Sequence, residues 1–270
     1  MLPRARPEAA LGAAFPLRPR GRVVGRPFGG MRSSRRGGRS DPVSSRPYRP
    51  GDDLRRLDRH ASARLSAARD ADELIVREHF AEEAARVAIV ADPSPTMALF
   101  PEELPWLHKP AAVEAAARLV EASAYEARSP WERYERPPAE LGSLALPRGA
   151  FVFVLSDFLA PPPEEVWLEA LARGLDVIPV VVQDPIWEQS FPDVGGAVLP
   201  LADPAGGRLR PVRLTRAEAA ERRRLNETRL AETTGRFEAL GLEAVVLGDA
   251  GEDAIFERFL CWSEGRRRAA

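Results

Sequence analysis

Three short apolar runs without polar interruption stand out along the chain: VAIVA at 87–91, FVFVL at 151–155 and VIPVVV at 177–182, the last within a strand DVIPVVV at 176–182. Such runs are what strands covered on both faces of a parallel sheet require. Between them the apolar spacing changes to that of helices. The stretch AAVEAAARLVEASAYEA after Pro110 predicts a helix of about 18 residues, with Pro at its start where a missing N–H costs nothing. PPEEVWLEALARG (162–174) predicts a second helix, acidic at its start and closed by Gly174. A long charged helix is expected from 216 to 240, ending at Gly241, then a strand EAVVL (243–247) and a closing helix in DAIFERFLCW. Gly, Pro and Asp clusters over 185–214 predict a loop carrying a hairpin, and ELIVREHF (73–80) reads as an earlier strand. Strands alternating with helices predict an α/β fold, a doubly wound, mostly parallel sheet with helices on both faces.

The first 45 residues differ. Dense in Arg, Gly, Pro and Ser and nearly free of apolar periodicity, 1–45 reads as a flexible N-terminal segment, irregular and Arg-rich, part of which can be ordered by docking. The expected organisation is therefore 1–45, a segment 46–84 with a strand packed on the main domain, and the α/β domain over 85–265. Residues 1–69 hold 17 Arg against 5 Asp or Glu, within a chain of net charge −1. A basic arm can bind nucleic acid, but this one has almost no aromatic residues for stacking and no helix suited to a groove, so no nucleic-acid partner is expected. Lys109 is the only lysine, and the Arg excess reads as compositional bias.

No apolar run approaches the roughly 20 residues of a membrane span. The N-terminus has no uninterrupted apolar core of a secretory signal, which predicts a cytoplasmic protein. Cys261 is the single cysteine and lies in the apolar pattern IFERFLCW, so it is expected to be a buried packing residue. His60, His79 and His108 fall in different predicted environments and offer no histidine metal or catalytic site.

In doubly wound sheets the functional crevice lies beyond the C-terminal strand ends. Two segments fall there, Asp92-Pro93-Ser94-Pro95-Thr96-Met97 after the first run and Ser156-Asp157 after the second. A carboxylate and two hydroxyls at alternate loop positions can turn their oxygens to one point, as Mg²⁺ requires, with Asp157 joining if the strands are neighbours. The same residues could instead cap the turns that follow them. A third segment, running from Arg46 through Tyr48, Gly51, Asp52, Asp53, Arg55 and Asp58 to Arg64, offers a turn and charge pairs that can pin a polar loop onto the domain.

RPYRPGDDLRRLDRHASARL strongly resembles the signature of the bacterial family called domain of unknown function 58, and DPSPTM, SDFL, the 183–212 region and the last helix extend the resemblance over roughly residues 21–265. The resemblance implies a von Willebrand factor A-like domain with a metal-ion-dependent adhesion site. Asp92, Ser94 and Thr96 would match its first loop and Asp157 its third, with Mg²⁺ as the cation. The second-loop threonine has no counterpart: Ser123 and Ser129 lie in or after a helix, and Arg59 stands where the family has tryptophan. The implied function is a non-enzymatic interaction module, an adaptor of a MoxR-type AAA ATPase, with no catalytic residue. The competing enzyme reading is a haloacid dehalogenase-like phosphotransferase with Asp92 as nucleophile, which wants a second aspartate where Ser94 stands.

Overall fold

The computed structural model describes residues 13–20, 26–36, 42–50, 52, 55, 57–69, 73–98, 106–202 and 209–269. In chain order these form β1 (Arg26–Arg36), β2 (Pro42–Pro47), α1 (Arg59–Arg69), β3 (Ile75–Ala84), β4 (Val87–Ala91), a 3-10 turn (Pro95–Ala98), α2 (Lys109–Glu126), β5 (Trp131–Glu135) and a second 3-10 turn (Pro138–Ser143). There follow β6 (Phe151–Ser156), α3 (Glu164–Ala172), β7 (Asp176–Val182), the strands β8 (Val198–Ala202) and β9 (Leu209–Arg213), α4 (Arg216–Ala239), β10 (Val245–Leu247) and α5 (Glu252–Ala269).

The central sheet is all-parallel, in the order β10-β7-β6-β4-β5. Successive side chains of a strand point to opposite faces, so each unbroken apolar run feeds two cores at once. Ile89, Phe151, Phe153, Leu155, Ile178 and Val180 enter one core with α2 and α5. Ala88, Val90, Val152, Val154, Val177 and Val181 enter the other, against Trp167 and Ala170 of α3 and Phe237 of α4. Helices thus cover both faces, the α/β arrangement that the apolar runs predict.

The helix ends follow their sequence signals. Gly174 and Gly241 take left-handed backbone conformations (φ +73° and +69°) just past α3 and α4, where a side chain would be strained. Thr215 and Glu218 form a reciprocal capping box at the start of α4.

Three features depart from the sequence expectation, and the docking it allows for part of 1–45 is found at residues 13–20. β5, a half-exposed edge strand beside β4, has no apolar run to announce it. Within the stretch read as tail and loop, β1 and β2 flank β3 in an antiparallel sheet, made strands by pairing rather than by periodicity. The segment 13–20 docks in an extended form. Phe15 (2% exposed) stacks on Phe259 at 5.0 Å between centroids and meets Phe153 and Trp262 edge-on, and Phe15 N–H donates to Ser123 Oγ at 3.0 Å. Farther along it, Arg266 of α5 donates to the Arg18 carbonyl and makes a buried two-pronged pair with Asp176 at 2.8 and 2.9 Å. Finally, Cys261 is exposed, not buried. The inward stripe of α5 runs through Ile255, Phe259 and Trp262, and Cys261 falls off it.

Candidate functional site

Strands β7, β6 and β4 are neighbours, so the residues that follow them share one rim of the sheet. Asp92 follows β4 and is half-buried. Its Oδ1 accepts from the Ser94 backbone N–H at 2.9 Å and from the Ser94 hydroxyl, and its Oδ2 accepts from Ser156 Oγ at 2.6 Å across 64 residues of sequence. Ser156 Oγ in turn accepts from Phe158 N–H at 3.1 Å. One carboxylate and two hydroxyls therefore converge, one of them, Ser156, from the second strand.

Of the four predicted metal ligands, the structure brings Asp92 and Ser94 together. Thr96 is half-buried in the 3-10 turn after them and is not among Asp92's donors within the described residues. Asp157 (2% exposed) is tied to the same loop, its N–H resting on Met97 Sδ at 3.2 Å, yet its carboxylate is engaged elsewhere. Oδ1 accepts from Leu159 N–H at 3.0 Å, and Oδ2 accepts from Lys109 Nζ at 2.9 Å.

Lys109, the first residue of α2, is 2% exposed and also donates to Glu188 Oε1 at 2.6 Å. Burial pushes the Glu188 carboxyl above its ordinary pKa, and the ammonium opposes that rise. The other Glu188 oxygen accepts from Asp184 N–H at 2.8 Å. Asp184, fully buried, gathers the N–H groups of Leu107, Ile186 and Trp187 at 2.8–3.0 Å, which stitches the entry to α2 onto the loop after β7. Gln183, also fully buried, donates its amide to the Asp157 carbonyl, while its Oε1 has no hydrogen-bond partner among the described residues. Arg229 of α4 donates to the Glu188 carbonyl at 2.8 Å, and burial lowers the pKa of its guanidinium. Breaking one partner out of such a buried pair costs about 3–5 kcal/mol.

Lys109, Gln183, Asp184 and Glu188 are absent from the sequence-derived site. The rim rule that selects Asp92 and Asp157 applies equally to β7, and QDPIWEQ at 183–189 is the polar stretch beyond its end. Lys109 carries a weaker sign, being the sole lysine and sitting at a helix start, where the macrodipole disfavours a cation.

The donor set Asp92, Ser94 and Ser156 has the chemistry of a hard divalent cation completed by waters, once both hydroxyls turn their lone pairs outward. No group of three or more His, Cys, Asp or Glu side chains able to hold a metal occurs among the described residues. His60 and His108 are exposed on separate segments.

The signature segment builds a clamp of its own. Arg46 holds Asp52 through two hydrogen bonds of 2.7 and 2.6 Å, and Arg49 N–H adds a third at 2.7 Å, which together keep the Asp52 carboxyl at about 2. Asp58 caps α1, accepting from Ala61 N–H at 3.0 Å, and Tyr48 N–H joins the Leu74 carbonyl at 2.7 Å. Arg55 and Arg64 are exposed, and Gly51 and Asp53 lie outside the described residues.

Residues 138–234 match the family model described as Protein of unknown function DUF58. The matched stretch runs from the second 3-10 turn into α4, so it contains Ser156, Asp157, Gln183, Asp184 and Glu188 but neither Asp92 nor Lys109. It supports that family over a shorter span than the 21–265 of the sequence resemblance. No curated protein and no solved structure matched the chain. No described helix is long and apolar enough to cross a membrane.

Proposed function

We propose that this chain is a non-enzymatic protein-interaction module that engages its partner at the rim formed by Asp92, Ser94 and Ser156, with a MoxR-type AAA ATPase as the partner. The observation that carries the reading is the convergence of these three side chains from the ends of two adjacent parallel strands. A Mg²⁺ there would be held by Asp92, Ser94 and Ser156, and it would supply an open position for a carboxylate of the partner. Asp92 fixes the two hydroxyls, with Ser94 placed by the short loop after β4 and Ser156 by the end of β6. The class of partner comes from the resemblance of the signature segment.

The test uses the whole chain and a purified MoxR-type ATPase. Binding in millimolar Mg²⁺ should fall at least tenfold in Asp92→Asn and in the presence of EDTA, while p-nitrophenyl phosphate stays unhydrolysed. Turnover of that ester by the wild type, lost in Asp92→Asn, would replace the adaptor with the phosphotransferase. Equal ATPase binding by both proteins would remove the rim from the interface.

A further inference from the structure

We infer that the Lys109 ammonium is a built-in cation: it occupies the position between the Asp157 and Glu188 carboxylates, and so withholds Asp157 from any metal at the rim. The inference rests on the reading of that rim as a cation-dependent docking site, and it names Lys109 as the residue that sets the cation affinity.

Three independent observations support it. The ammonium lies 2.9 Å from Asp157 Oδ2 and 2.6 Å from Glu188 Oε1, with all three side chains at most 5% exposed. It does so from the first residue of α2, where the helix dipole is repulsive to a cation, so helix formation does not explain its place. Next to Asp157, the fully buried Gln183 amide is fixed on the Asp157 carbonyl while its Oε1 lacks a donor among the described residues. Two carboxylate oxygens and a neutral amide oxygen are the ligand types a hard divalent ion takes. Arg229, whose guanidinium also feels both carboxylates, places a second positive charge near Asp157 and Glu188.

The consequence for the rim is a reduced shell. Asp157 is held by a tethered charge that cannot dissociate, and the rim position keeps a single carboxylate, Asp92. Removing the ammonium should turn the buried group into a divalent-metal site in its own right.

The experiment compares Mn²⁺ and Mg²⁺ binding by calorimetry for the full chain as wild type, Lys109→Met, Lys109→Met with Asp157→Asn, and Lys109→Met with Asp92→Asn. Lys109→Met should bind Mn²⁺ at least tenfold more tightly than the wild type. The gain should vanish with Asp157→Asn and survive Asp92→Asn, which removes the rim site alone and so separates failure of this inference from failure of the docking reading. Unchanged affinity in Lys109→Met, or a gain that persists with Asp157→Asn, overturns the inference. If Lys109→Met is insoluble, its recovery on refolding is measured with Mn²⁺ and with EDTA. Recovery with Mn²⁺ alone supports the built-in cation, and equal failure in both refutes it, because a divalent ion must then be unable to replace the ammonium.

Discussion

Replacing Phe15 by Ala tests whether the first described segment is part of the core or a tail lying on it. The ring is 2% exposed and touches three aromatic side chains from β6 and α5, with centroid separations of 5.0 to 6.3 Å. Truncating a buried Phe costs about 3–5 kcal/mol through lost transfer energy and the cavity left behind. For a domain of this size each kcal/mol lowers the melting midpoint by about 2–4 °C, so the variant should melt about 6–20 °C below the wild type. Circular dichroism melts of Phe15→Ala and Phe15→Leu beside Leu225→Ala, at a position 52% exposed on α4, provide the comparison. Leu225→Ala should stay within about 0.5 kcal/mol of the wild type. Phe15→Leu should fall between the two Ala variants, because most of the apolar volume remains. A Phe15→Ala midpoint indistinguishable from that of Leu225→Ala would refute the docking of residues 13–20 and return them to the tail.

Two further outcomes concern ionisation. Glu188 has its native pKa raised above 4.5 by burial, so the stability it contributes is complete below 4.5 and is lost as the pH rises through the native value. Urea midpoints should therefore fall with rising pH more steeply in the wild type than in Glu188→Gln, and parallel curves would refute the assignment. Asp52 should titrate at about 2 against the ordinary 3.8 in a carboxyl NMR titration and move back up in Arg46→Met; its stabilising effect is present above 3.8 and lost as the pH falls toward 2. An Asp52 already titrating near 3.8 in the wild type would remove the clamp.

The central strands are legible in the sequence because a parallel sheet buried on both faces leaves no room for alternation, and VAIVA, FVFVL and DVIPVVV show none. The edge strand β5 is not, since WERYE is half-exposed and becomes a strand by pairing with β4. Docking within 1–45 is allowed by the sequence, but an eight-residue segment has no period that singles out Phe15, and Cys261 is exposed because α5 buries a narrower stripe than its apolar pattern suggests.

For the candidate site the division follows sequence distance. Asp92 and Ser94 share a tight loop, so their contact is written in two adjacent turns of chain. Ser156 reaches Asp92 only because β6 lies beside β4. The pairing of Lys109 with Asp157 and with Glu188 spans 48 and 79 residues and depends on the order β7-β6-β4 together with the docking of α2. Periodicity, caps and loop chemistry act over a few residues, so the amino-acid order alone determined the helices and central strands of the α/β sheet and the rim on which the polar groups stand, but not the paired strands β1, β2 and β5. Whether a given carboxylate meets a hydroxyl or a buried ammonium is set by packing between distant segments, and only the folded chain decided that.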